Sequence, residues 1–191
     1  MSKVSALSNL TGPPADGDEF HIVDVSDTTD DAGGSSKALT ITELMSFHRP
    51  ACYTHSGSTN ITSTAAVCAF DTETLDPEGA YSVSAGVITV DEAGYYSISY
   101  SVPINDDGTT GGIRARMFGY VERNTGGGYS TITQSRAQDY AREDSGGEGI
   151  SASFVAQLTA GDLIRLMLDQ SGTVDVSTES GEAQLSIFRI C

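Results

Sequence analysis

The sequence predicts an all-β protein, an antiparallel sandwich of two sheets, on three observations. Tyr81 to Ile104 (YSVSAGVITVDEAGYYSISYSVPI) alternates apolar and small polar residues. Tyr96, Ile98, Tyr100 and Val102 share one face and Ser97, Ser99 and Ser101 the other, the period-2 pattern of a strand with one buried side. The stretch reads as a β-hairpin turning at Glu92-Ala93-Gly94. The second observation is compositional: 21 glycines, no tryptophan and a single short helix-like stretch favour strands and turns. Third, apolar runs bounded by turn residues recur at short spacing from residue 66 onward, as in sandwiches.

Residues 1–50 form a first unit. Asp18 to Ser26 (DEFHIVDVS) is strand-like, with Phe20, Ile22 and Asp24 on one face and Val23 and Val25 on the other. A Gly-rich stretch (DTTDDAGGSSK) leads to Ala38–Ile41, which can pair back as a second strand. Thr40 or Thr42 then offers an N-cap to one helical turn, TELMSF, ended by Pro50. So few apolar side chains do not offset the ordering of this unit, since each residue costs about 1–2 kcal/mol. It needs a surface to lie on, and an extended arm pinned by a neighbouring subunit meets that need.

Residues 51–65 (ACYTHSGSTNITSTA), rich in Ser and Thr, read as a linker to residues 66–191. From there strands are expected at 66–70, 80–84, 87–90, 95–104, 112–122, 129–137, 150–158, 162–169 and 183–190. Asp106-Asp107-Gly108, Gly126 to Gly128 and Gly146-Gly147 mark tips, where glycine supplies positive φ at low cost. In Ser151–Leu158 the apolar Ala152, Phe154, Ala156 and Leu158 alternate with Ser151, Ser153 and Gln157. After a tight turn at Ala160-Gly161-Asp162, Ile164, Leu166 and Leu168 share one face and Leu163, Arg165 and Met167 the other. A strand apolar on both faces needs cover on both, which the core and a subunit interface would supply.

The 191 residues, 38% of them hydrophobic, suffice for one ordinary domain and an appendage. Ten basic residues, only two of them lysines (Lys3 and Lys37), oppose 26 acidic ones for a net charge of -16. That balance repels nucleic acid and anionic membrane surfaces. Cys52, Cys68 and Cys191 are odd in number and lie outside any disulfide or zinc spacing, so free thiols are expected. No basic start with an apolar core and no apolar run of bilayer length is present, and the chain reads as soluble and assembled in the cytoplasm.

Phe70-Asp71, then AGVITVDEAGYYSISYSV (85–102), VAQLTAGDLIRLML (155–168) and SGEAQLSIFRI (180–190), resemble the successive signatures of the C1q/tumour-necrosis-factor superfamily. The resemblance implies a ten-stranded jelly roll assembling as a homotrimer about a three-fold axis. Tyr96, Ile98, Tyr100, Phe154, Ile164, Leu166, Leu168 and Phe188 would then build the core or the trimer interface. LSIFRI stands where the family has a small residue and glycine around the aromatic, and no collagen-like repeat precedes the domain, so an extracellular complement or cytokine role is not carried over. VSALSNLTGPPADGDEFHIVDVSD followed by SSKALTITELMSF is similar to the leader of bacteriophage fibre and head-decoration proteins, which anchors such chains to the virion.

Chemistry-bearing clusters are sparse. His21, His48 and His55 have no carboxylate or cysteine at ligand spacing, and His21 belongs to a solvated strand face. Asp106-Asp107 and the set Asp139, Glu143, Asp144 and Glu148 lack the loop order of an EF-hand. They read as solvated loop charge, with Ca2+ held between loops as the alternative and no other cofactor indicated. There is no G-x-S-x-G motif, Gly126 to Gly128 lacks the Lys-Ser/Thr of a phosphate loop, and chance carboxylate pairs do not make a glycosidase. An enzyme is not expected. Tyr95, Tyr100, Tyr120, Tyr129 and Tyr140 are candidate recognition residues, with core packing the stronger reading for strand positions such as Tyr96 and Tyr100.

The expected function is a bacteriophage virion protein, a trimeric capsid decoration (cement) or head-fibre protein on the capsid surface. Its arm (Val4, Leu7, Leu10, Phe20, Ile22, Val23, Val25, Leu39, Ile41, Leu44 and Phe47) would bind the major capsid protein. One alternative is a tail-fibre or receptor-binding tip, with recognition at Asp106, Asp107, Asn124, Asp139, Tyr140 and Glu143. Another is a secreted C1q-like lectin or glycosidase.

Overall fold

The computed structural model describes residues 19–24, 35–40, 50–76, 81–105, 114–142, 149–172 and 176–190. The chain divides into two units, Met1–Phe47 and His48–Cys191. In the first, β1 (Glu19–Asp24) and β2 (Ser35–Thr40) form an antiparallel hairpin with Phe20 opposite Leu39 and Ile22 opposite Lys37. The second strand starts three residues earlier than its sequence suggests and stops at Thr40. Val4, Leu7, Leu10, Val25, Ile41, Leu44, Phe47 and the TELMSF turn lie outside the described residues.

The second unit starts with β3 (Pro50–Thr54), β4 (Asn60–Ile61), β5 (Ala66–Val67), β6 (Thr72–Leu75), β7 (Tyr81–Ser84) and β8 (Val87–Val90). The long central strands follow: β9 (Gly94–Asn105), β10 (Arg114–Asn124), β11 (Tyr129–Thr131), β12 (Ala137–Arg142), β13 (Gly149–Leu158) and β14 (Leu163–Ser171). The short β15 (Val176–Thr178) and β16 (Gln184–Arg189) close it. Sheet I runs β11-β10-β14-β8-β7, with β12 also on β10 and β5 also on β14. Sheet II runs β4-β15-β9-β16-β3-β6, with β13 also on β9. Every pairing is antiparallel, and the inner faces of the two sheets share one apolar cluster, an antiparallel jelly-roll sandwich.

Alternation places that core. Tyr96, Ile98, Tyr100, Val102 and Ile104 of β9 are all buried, as are Ile150, Phe154 and Leu158 of β13 and Leu185 and Ile187 of β16. Sheet I answers with Ile88, Val90, Met117, Val121, Ile164, Leu166 and Leu168. Burying one aliphatic or aromatic side chain contributes roughly 1.5–3 kcal/mol, so this shared layer is what holds the sheets together.

Five expectations are corrected. The stretch 51–65 is not a linker: β3 pairs with β16 and β6, β4 pairs with β15, and Ala51, Tyr53 and Ile61 are core residues. Its Ser and Thr content hides the inward alternation Ala51, Tyr53, His55. The turn at Glu92-Ala93-Gly94 does not close a hairpin, because β8 lies in sheet I and β9 in sheet II; β8 pairs instead with β7 across Ala85-Gly86. The strand expected at 129–137 is broken by a 3-10 turn at Thr133–Ser135. There the buried Ser135 hydroxyl accepts from the Val121 N–H at 2.7 Å and donates to the Ile132 carbonyl at 2.6 Å. The strand at 66–70 shortens to Ala66–Val67. The second face of β14 takes part of its cover from within the chain: Met167 is buried, and Arg165 lies 3.6 Å from the centroid of the Tyr129 ring while pairing with Glu122, with Leu163 and Asp169 half-buried.

Candidate functional site

The site residues expected from the sequence separate into groups. Tyr96, Ile98, Tyr100, Phe154, Ile164, Leu166 and Leu168 are at most 7% exposed in the single chain, so they are core and cannot also form a contact between copies. Phe188 is 37% exposed. It stands on the outward face of sheet II, and that face is the candidate site.

Register builds it. Ser99 lies opposite Ser153 on one side and Ser186 on the other, and Ser101 opposite Ser151 and Gln184. These side chains floor a shallow hollow of about 480 Å³. Ser97, between Val155 and Phe188, starts an apolar rim. Six large apolar side chains are exposed among the described residues, and Leu75, Tyr95, Val155, Phe188 and Ile190, all but Tyr140, belong to this side of sheet II. Leu75 pairs with Cys52 at the edge, and the Ile190 N–H donates to the Tyr95 carbonyl at 2.7 Å. A floor of small hydroxyls within an apolar border lets another surface approach the backbone closely. Exposed apolar side chains gathered on one face mark an interaction site.

The loop residues hold the fold's own turns. The Asn124 side-chain carbonyl accepts from the N–H groups of Gly126 (2.8 Å) and Gly128 (3.1 Å), an Asx arrangement that shapes the Gly-rich tip. Asp139 accepts from the N–H groups of Tyr140 (2.7 Å) and Gly149 (3.0 Å), tying β12 to the start of β13. Tyr140 is exposed opposite Arg116. Asp106, Asp107, Glu143, Asp144 and Glu148 lie outside the described residues, among which no three His, Cys, Asp or Glu side chains converge as metal ligands.

Neither Ser56 nor Cys68 is set up as an activated nucleophile. The Ser56 hydroxyl donates to Asp71 at 2.7 Å, and the buried His55 Nδ1 lies 3.8 Å from the same carboxylate. The hydroxyl proton is therefore directed at the acid, not at an imidazole that could remove it. Burial pushes the Cys68 thiol up to about 12, opposed by a hydrogen bond from Thr59. It stays a protonated core group.

Asp71 is held below the ordinary carboxylate range, first by the Ser56 hydroxyl and then by the Ser56 N–H at 2.8 Å. A depressed carboxyl stabilises the fold above its unfolded pKa of about 4 and loses that contribution as pH falls through the lower folded value. Ser56→Ala is therefore expected to raise the Asp71 pKa, read by NMR titration of its carboxyl carbon, and to start acid destabilisation at higher pH.

No family model and no curated protein matches the chain. Solved structures do. Murine APRIL superposes with a TM-score of 0.59 at 14% identity, covering 75% of this chain and 99% of that one. The Eiger TNF of S. frugiperda gives 0.54 at 13% identity over 75% and 93%. The globular domain of zebrafish complement 1qA gives 0.52 at 13% identity over 75% and 97%. The second unit is thus a C1q/TNF-like jelly roll.

Proposed function

We propose that the chain is a non-catalytic structural protein of a bacteriophage virion, a homotrimer that decorates the capsid. In this reading the outward face of sheet II is the contact between copies, and the N-terminal unit binds the major capsid protein. The observation that carries it is the collection of exposed apolar side chains around the serine floor on one side of a C1q/TNF-like jelly roll. A single chain gains nothing from that exposure, whereas a symmetric assembly buries it on every copy. The β1–β2 hairpin places Phe20 and Leu39 at one register position, and the leader similarity of the sequence around it supports an anchoring role. Three arms on one trimer would bind far more tightly than one.

Light scattering tests the first half. The chain is expected at three times its 19.9 kDa, and Ser99→Arg, which fills the middle of the serine floor, is expected to return it to a monomer with unchanged far-UV circular dichroism. A wild-type monomer overturns the trimer. Deletion of residues 1–47 tests the second half: the shortened trimer should form and fail to decorate capsids. Labelling of tails rather than heads on intact particles would instead assign it to the receptor-binding tip.

A further inference from the structure

The outward face of sheet I has a chemistry that the trimer contact does not use. Five arginine side chains are described, at 116, 123, 136, 165 and 189. Arg123, Arg165 and Arg189 pair with Asp162, Glu122 and Glu92. Arg116 and Arg136 are exposed with no carboxylate partner among the described residues, in a chain where acids outnumber bases 26 to 10. Both belong to the same face. Arg116 of β10 lies opposite Tyr140 of β12, and Phe118, next on that side of β10, lies opposite Gln138. The Arg136 guanidinium sits 4.7 Å from the centroid of the Phe118 ring and 5.7 Å from that of Tyr120.

Contact with two rings restrains this long side chain, and Arg136 remains exposed, so its forked N–H donors are open to a carboxylate, which they match in bidentate geometry. Arg165 likewise stacks on Tyr129, so three of the aromatic rings on this side already carry a guanidinium. A sugar would need an open ring to stack on, and a guanidinium already lies over Phe118, Tyr120 and Tyr129. It has the Arg and Tyr content of protein contact sites, and Arg116 and Arg136 outnumber the carboxylate beside them, Asp169, which lies opposite Phe118 and accepts from the Tyr120 hydroxyl.

We propose that the β10–β12 face of sheet I docks an acidic segment of a partner protein, with Arg116 and Arg136 receiving its carboxylates. A chain of net charge -16 has no long-range attraction for a polyanion, so any such binding is local to this face.

The probe is a fluorescein-labelled dodecapeptide of Asp, Glu and Gly, titrated into the full-length protein at low and high salt, with NMR shifts followed at Phe118, Tyr120 and Tyr140. Binding is expected to shift these rings and to weaken with salt. Arg136→Gln and Arg116→Gln should each lower affinity about tenfold or more, and Arg189→Gln in sheet II should leave it unchanged. Both targeted side chains are solvent-exposed, and if one variant misfolds the other decides. Absence of binding at low salt, wild-type affinity in both face variants, or stronger binding of polygalacturonate through the same rings would overturn the proposal.

Discussion

Tyr100→Phe is expected to lower the free energy of unfolding by about 1–3 kcal/mol, and Tyr100→Ala by about 3–5 kcal/mol. Tyr100 belongs to β9 in sheet II, but its hydroxyl reaches across the sandwich to 2.8 Å from the Gly119 carbonyl of β10 and 2.7 Å from the Ser135 carbonyl of the 3-10 turn. The N–H of Ala137 donates to it. One hydroxyl has a single proton, which serves one carbonyl at a time while its lone pair takes the N–H. Removing the oxygen strands all three groups in an apolar layer, whereas losing the ring as well opens a cavity between the sheets. Gly119 leaves the room for this arrangement: a Cβ there would sit 2.9 Å from Ile150 Cγ2 and 3.1 Å from the Tyr100 ring. Burial raises the Tyr100 phenol above its ordinary pKa, so the group favours the fold below about pH 10 and withdraws that contribution as pH climbs toward the raised value. Guanidinium unfolding at neutral pH measures the main effect. Tyr100→Phe should also shrink the alkaline loss of stability, with the buried Tyr53, whose phenol is raised by burial and by Asp76, supplying what remains. A neutral-pH change below a few tenths of a kcal/mol would show that water satisfies these carbonyls.

The strands legible in the sequence are those whose partners merely repeat their own alternation. β9, β13 and β14 are long, and Tyr96 to Val102, Ala152 to Leu158 and Ile164 to Leu168 state their buried faces residue by residue. What stayed illegible depends on distant partners. The corner after Val90 looks like any glycine-containing hairpin turn, but the Tyr96 hydroxyl donates to the Glu92 carbonyl at 2.7 Å and Arg189 pairs with Glu92 from 97 residues away. These contacts suit a chain crossing between sheets. The break at Thr133–Ser135 likewise rests on Val121, 14 residues earlier. The candidate surfaces divide in the same way. The serines of β9 were visible as an alternating set, yet only register places Ser153 and Ser186 beside them. Ten basic residues can be counted in the sequence, but which of them lack a carboxylate is a property of the folded sheet.

Gly86→Ala is expected to cost about 2–5 kcal/mol, the sum of about 1–2 for a left-handed alanine and about 1–3 for the space it needs. Ala85 (φ 51°) and Gly86 (φ 77°) both adopt the left-handed conformation that a two-residue turn requires between twisted strands. A Cβ on Gly86 would meet the Cys68 carbonyl oxygen at 2.5 Å and the Ala69 Cα at 2.8 Å. Both are backbone atoms, so no rotamer change relieves the contact. The neighbouring chain is itself held, since the Cys68 N–H donates to the Leu166 carbonyl at 2.9 Å and the Phe70 N–H to the Cys68 carbonyl at 3.0 Å. Gly161 provides the control: its φ of 86° is equally left-handed, and nothing lies within 4 Å of its missing Cβ. Gly161→Ala should therefore lose only the conformational part, about 1–2 kcal/mol, and the difference between the two variants isolates the close approach of the β7–β8 turn to the Cys68 corner. A second readout separates this from general destabilisation. Cys68 is wholly buried in the native chain, and displacement of the turn in Gly86→Ala should let a thiol reagent reach it under native conditions, while Gly161→Ala leaves it protected. Equal stabilities and equal labelling in the two variants would mean that the turn yields freely and that Gly86 is required for its dihedral angle alone.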